Sequence, residues 1–225
     1  TPNLAYKTAM DQYAMGVNLQ IGNRPADIGP QLDRFVGRMS YLLRHGRHVA
    51  DVAVLYPIAS LQSTYYFASP PASNRPGSSA NFYWALEGGV IAPEIDYMDL
   101  GEMLFRGLRV DYTYLHPEVL IGRSLIGRSL NDKGRLTLDN KENREEFRTL
   151  ILPGGDTLSA DAAKKILEFY RAGGIVIAVH KLPSKAAEFQ RDKEVQAMVA
   201  EVFGFPLNDP ITAEIRPVVD DFKNY

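Results

Sequence analysis

Arg148-Thr149-Leu150-Ile151-Leu152-Pro153-Gly154-Gly155-Asp156 is the stretch on which the fold of this chain turns. Its three consecutive apolar residues, stopped by a proline and two glycines, leave no polar face. Such a run suits a strand covered by helices on both sides, as in a parallel sheet. Three other runs share this character: Asp51-Val52-Ala53-Val54-Leu55-Tyr56-Pro57, then Leu108 to Leu115, then Gly174-Ile175-Val176-Ile177-Ala178-Val179-His180. Helical phrases separate them. Tyr97 to Arg106 precedes the second run, and Ser159 to Ala172 joins the third to the fourth, with Ser159 as N-cap and Gly173-Gly174 as the stop. Asp192 to Phe203 forms one more helix, closed by Gly204. Strands alternating with helices predict an α/β fold with a doubly wound, mostly parallel sheet.

Upstream, Gln31 to His45 carries Leu32, Phe35, Val36, Met39, Leu42 and Leu43 at helical spacing, with Gly46 as C-cap, and is expected to pack on the sheet. Residues 1–30 read differently: a helix from Tyr6 ended by Gly16, a short strand Val17 to Ile21, and a turn-rich linker to Pro30. The expected division is therefore a terminal fragment over 1–30 and an α/β domain over 31–225. A chain that starts inside a helical phrase, without an initiating Met, is expected to be cut from a longer polypeptide. Ser69 to Ala80, rich in proline and serine, predicts a surface loop. The tandem Leu120-Ile121-Gly122-Arg123-Ser124 and Leu125-Ile126-Gly127-Arg128-Ser129 is too short for a repeat architecture and predicts an insertion leading into an edge hairpin.

The composition narrows the function classes. In 225 residues, 45% are hydrophobic, 23% are charged and the net charge is −2. These are the values of a globular chain, with no polybasic surface for nucleic acid. No apolar run approaches a membrane span, and no partner membrane is expected. With no cysteine, thiol nucleophiles, disulfides and Cys-ligated metals are excluded, and the four histidines show no metal-ligand spacing. No metal and no cofactor are expected.

The Pro153-Gly154-Gly155 turn lies where open α/β sheets bind ligands, at the carboxyl end of a strand. It lacks both the dinucleotide fingerprint and the phosphate loop, so a tight strand-to-helix turn is the plainer reading. The phrase resembles the class I glutamine amidotransferase-like (flavodoxin/amidotransferase-like) fold. In that fold the strand after the Pro-Gly-Gly turn leads to a nucleophile elbow. Here that strand ends Val179-His180-Lys181, with neither Ser nor Cys, which excludes the family's acyl-transfer chemistry.

Taken in order, Phe35 to Gly46, Asp51 to Pro57, Asp111-Tyr112, Leu150 to Pro153 and Gly173 to Val176 resemble the region after the catalytic barrel in bacterial α-L-rhamnosidases of glycoside hydrolase family 106. A similar noncatalytic amidotransferase-like domain follows the barrel in family 42 β-galactosidases, where it helps subunits assemble. The resemblance makes Lys7 to Asn18 the last helix and strand of a (β/α) barrel and residues 31–225 an accessory domain. It implies a carbohydrate partner bound through the parent catalytic domain, a homo-oligomer, and a periplasmic or extracellular setting.

Under this reading Asn18 and Gln20, at the end of the barrel strand, would face sugar. Family members carry an aromatic or histidine there, whereas this chain reads Leu19-Gln20-Ile21-Gly22. The catalytic carboxylates, which must stand about 5–5.5 or 6.5–9.5 Å apart, would lie upstream of Thr1. Within the chain, Trp84 and the pair Tyr65-Tyr66 offer rings on which a sugar could stack, with Glu87, Glu94, Asp96 and Asp99 nearby in sequence. Phe82, Tyr83 and Leu86 fit equally well as a buried helical stripe. The alternative is an independent small-ligand module whose crevice is framed by Tyr56, His116, Gly154 and His180 at the strand ends.

Overall fold

A computed structural model of the chain describes residues 2–14, 16–17, 29–64, 66–67, 89–90, 95–122, 129–130, 133–139 and 144–204. Its contacts divide the chain into two compact units, Thr1–His48 and Val49–Tyr225.

The first unit holds helices α1 (Pro2–Ala14) and α2 (Gly29–His45). Ala9 and Tyr13 of α1 are buried with Leu32 and Val36 of α2, and the Tyr6 ring meets Phe35 edge-on at 5.3 Å. Tyr13 anchors the pair: its hydroxyl donates to the Val36 carbonyl at 2.9 Å and lies 2.9 Å from Ser40 Oγ. Helix α2 thus directs its apolar stripe onto α1 and groups with the N-terminal unit, so the units part after His48. Gly16 closes α1 with a left-handed φ of 87°. The expected strand from Val17 to Ile21 lies beyond the described residues after Val17.

The second unit is built on four parallel strands: β1 (Val52–Leu55), β4 (Tyr112–Leu115), β8 (Thr149–Leu152) and β10 (Ile175–Ala178). Between β1 and β4 come α3 (Ile58–Thr64), the pair β2 (Tyr66–Phe67) and β3 (Gly89–Val90), and α4 (Tyr97–Glu102). After β4 follow α5 (Pro117–Leu120) and an antiparallel sheet of β5 (Ser129–Leu130), β6 (Leu136–Asp139) and β7 (Arg144–Phe147). Beyond β8 lie β9 (Thr157–Leu158) and α6 (Ala160–Arg171). Beyond β10 lie β11 (Lys185–Ala186) and α7 (Asp192–Phe203).

Strand order β10-β8-β1-β4 makes the chain grow first to one side of β1 and then to the other. The direction of winding reverses between β1 and β8, where doubly wound sheets open a crevice. Alternation along each strand explains why the runs are apolar throughout. Ala53, Leu55, Leu150 and Leu152 face the cluster that includes α6 and α7. Val54 and Ile151 face Leu100 and Leu104 on the opposite side. Ile175 and Ile177 of β10 are 41% and 44% exposed.

Helix α6 forms where expected. Ser159 Oγ accepts from the Ala162 N–H, and Ala163, Ile166, Leu167 and Phe169 form the buried stripe. Gly174 is required because an added Cβ would collide with the Phe169 ring. In place of the expected edge hairpin, the chain forms a separate three-stranded antiparallel sheet, β5-β6-β7, with Leu136 and Phe147 fully buried in the main core.

The run from Leu108 differs from expectation. A π-helical turn, Met103–Leu108, prolongs α4, and Arg109 in the left-handed region (φ 54°) turns the chain back before β4 begins at Tyr112. The apolar residues at 108 and 110 serve the exit of the helix, and the Val110 N–H closes on the Leu104 carbonyl at 2.9 Å. The loop from Ser69 to Ala80 and most of the tandem phrase lie outside the described residues.

Candidate functional site at the carboxyl end of the sheet

The carboxyl ends of β1 and β8 are held together by one hydroxyl. Ser60, in the first turn of α3, is 2% exposed. Its Oγ donates to the Thr157 carbonyl at 2.9 Å and accepts from the Thr157 N–H at 3.0 Å. Residues 97 apart in the chain are thereby joined as a strand pair would be. Gly155 packs directly on Ser60, where a Cβ would collide with the serine side chain. That contact explains why the turn needs its second glycine.

Gly154 is engaged on the other side. Its N–H donates to Asp96 Oδ1 at 2.9 Å, while Asp96 Oδ2 lies 3.1 Å from His180 Nε2. His180 has a left-handed φ of 61°, unusual for a residue other than glycine. Asp156 completes the turn. It pairs with Lys185 Nζ at 2.8 Å and Lys181 Nζ at 3.6 Å and accepts from Thr157 Oγ1 at 2.8 Å. Burial alone would raise this carboxyl, but the hydrogen bonds from Lys185 and Thr157 and the two lysine charges outweigh it and hold the group below the usual carboxylate value.

Beside this turn, on the side of α3 and α5, lies a cavity of about 510 Å³. Tyr56 and His116 form one wall, their rings stacked at 6.2 Å with planes 28° apart. Leu158, Ile121 and Pro183 supply apolar surface, and Gln62 and Glu118 stand on the rim. His116 is the N-cap of α5, with its Nδ1 accepting from the Glu118 N–H at 3.3 Å. Behind Tyr56, Tyr97 and Tyr114 form an edge-to-face chain, with the Tyr114 hydroxyl donating to the Tyr97 carbonyl at 2.8 Å. Burial, then the charge and hydrogen bond of Tyr56, push the Tyr97 hydroxyl up to about 12. The Tyr114 hydroxyl is raised too, by burial first and then by Tyr112 and Tyr97.

Of the four strand-end residues read as a crevice, the structure brings Tyr56 and His116 into one cavity. Gly154 and His180 gather instead around Asp96. Asp96 is therefore a structural acceptor for the turn, and nothing in its sequence neighbourhood announces a partner 58 residues away. Ser60, Gln62 and Glu118 have no local motif either. Asn18, Gln20, Tyr65 and Trp84 lie outside the described residues. Tyr66 is described only by its backbone, paired antiparallel with Val90. Among the described residues no three His, Asp or Glu gather as a metal site, and no helix is long and apolar enough to cross a membrane.

No protein-family model matches the chain, and no curated protein matches it significantly.

Proposed function

We propose that this chain is the noncatalytic end of a carbohydrate-degrading glycoside hydrolase of α-L-rhamnosidase type. Residues 1–30 close its (β/α) barrel, and the amidotransferase-like α/β unit supports that barrel or holds subunits together in a periplasmic or extracellular enzyme. The phrases from Phe35 to Val176 support the parentage. One observation carries the noncatalytic role: the Pro-Gly-Gly turn is occupied by the chain's own side chains. An acyl-transfer site would aim backbone N–H groups at a developing oxyanion beside a nucleophile. Here the Gly154 N–H holds Asp96, Ser60 holds Thr157, Ser159 caps α6, and His180 follows β10 in place of a nucleophile. The exposed Ile175 and Ile177 accord with a surface that a neighbour covers.

The test compares hydrolysis of an aryl α-L-rhamnoside by residues 1–225 and by the longest polypeptide of the same reading frame. Activity confined to the longer polypeptide is expected. Turnover by the 225-residue chain would overturn the noncatalytic role, and inactivity of both would overturn the parentage.

The cavity beside the turn favours a second reading, a small-ligand module that uses the carboxyl-end crevice of the sheet.

A further inference from the structure

We infer that the cavity between α3, α5 and the start of α6 binds a neutral, polyhydroxylated ring, such as one pyranose unit, and neither an anion nor an amine. The inference rests on the cavity being a binding site and is independent of the proposed parent enzyme. Its volume, about 510 Å³, falls within the roughly 300–1,000 Å³ of small-molecule sites.

The wall chemistry selects the ligand. An anion at the end of a parallel strand is ordinarily held by N–H groups at a helix start. At the start of α6 and in β9, three such donors already have partners. The Ala160 N–H donates to Glu188 Oε2 at 2.9 Å, the Ala162 N–H to Ser159 Oγ at 3.3 Å, and the Thr157 N–H to Ser60 Oγ at 3.0 Å. Among the described residues no lysine or arginine lines the cavity, and Glu188 and Glu118 bring negative charge to its surroundings. A phosphate or carboxylate would meet filled donors and like charge.

An amine fares little better. Among the described residues Glu118 is the one acidic residue in the lining, it is exposed, and a single exposed ion pair contributes little. Of the two faces of Tyr56, His116 stacks on one, and Tyr97 meets the ring edge-on. Among the described residues no cage of several aromatic faces surrounds the space, as a quaternary ammonium would require.

What remains is mixed. With Nδ1 accepting from Glu118 N–H, the neutral His116 ring carries its hydrogen on Nε2 and offers a donor. The Glu118 carboxylate offers acceptors, and the Gln62 amide offers both. None of these three side-chain functions has a protein partner among the described residues, and all belong to residues lining a cavity with apolar walls at Ile121, Leu158 and Pro183. Hydroxyl groups donate and accept at once, and the CH face of a sugar ring packs on apolar and aromatic surface. A polyhydroxylated ring matches that inventory.

The 225-residue chain is titrated, with amide NMR shifts as the readout, against methyl α-L-rhamnopyranoside, methyl β-D-glucopyranoside, inorganic phosphate and tetramethylammonium. At least one glycoside is expected to shift Gln62, His116 and Glu118 with a roughly millimolar Kd. Gln62→Ala and Glu118→Gln, both at exposed positions, should each weaken it by about fivefold, the scale of one lost hydrogen bond. Ala187→Trp, which fills the cavity from an exposed position, should abolish it. Shifts of the same residues by phosphate or tetramethylammonium alone would overturn the ligand class while the cavity stood as a site. No shift there with any of the four probes would overturn both. Glycoside binding undiminished in all three variants would move the site elsewhere and overturn the inference.

Discussion

The two sides of the crevice use polar groups in opposite ways. At the Pro-Gly-Gly turn the Gly154 N–H pairs with Asp96, Thr157 with Ser60, and the Asp156 carboxylate with Lys185 and Lys181. At the rim of the cavity the side-chain functions of Gln62 and Glu118 have no protein partner among the described residues, and His116 uses one ring nitrogen and leaves the other. A buried polar group left unpaired is costly, so the turn must be satisfied from within, whereas the rim can leave its groups to water until something displaces it. The contrast separates what holds the fold from what can recognise a ligand.

Substitutions on the two sides should therefore differ, and the largest effect belongs to the turn. Ser60→Ala removes a hydroxyl that both donates and accepts, leaving the Thr157 N–H and carbonyl unpaired at a buried position. Urea unfolding should show a loss of about 2 kcal/mol. A loss below about 0.5 kcal/mol would mean that water replaces the hydroxyl and that the turn is open.

A smaller, pH-dependent effect is expected at Asp156. Its folded-state value is depressed, so the stability it contributes is complete above the unfolded value of about 3.9 and disappears as pH falls through the lower folded value. Asp156→Asn should cost about 1 kcal/mol at pH 7, since Lys185 is exposed and its pairing screened, and the gap to the wild type should shrink as the pH falls below the unfolded value. A gap unchanged by acid would remove the ion pairs from the account.

The smallest effect belongs to the rim. Gln62→Ala combined with Glu118→Gln should move the urea midpoint by less than about 0.5 kcal/mol, as surface changes usually do. A greater loss would show these side chains to be structural, erasing the difference between the two sides.

The parts legible in the sequence were those with local causes. The buried strands stood out because a parallel sheet covered on both faces leaves no polar alternation, and α6 because Ser159 and Gly173 bracket an amphipathic stripe. The start of β4 was not legible, since Leu108 and Val110 are apolar for the sake of the helix exit and read as strand. Helix α2 has an evident apolar stripe, but its partner, α1, could not be inferred from the stripe. At the site, Tyr56 and His116 were found as strand-end residues. The division of the crevice depends on Asp96 and Ser60, whose partners lie 58 and 97 residues away, and no periodicity or motif encodes such pairings.

The central claim, that the Pro-Gly-Gly turn is committed to structure and not to ligands, is tested most directly by native-state hydrogen exchange at the Gly154 and Thr157 amides. The account predicts that both exchange slowly, with protection close to that of the core strand residues Leu150 and Ile151, because each N–H is held by a side chain of its own chain. Exchange at the rate of an open loop would contradict it and return the turn to the list of ligand-binding elements.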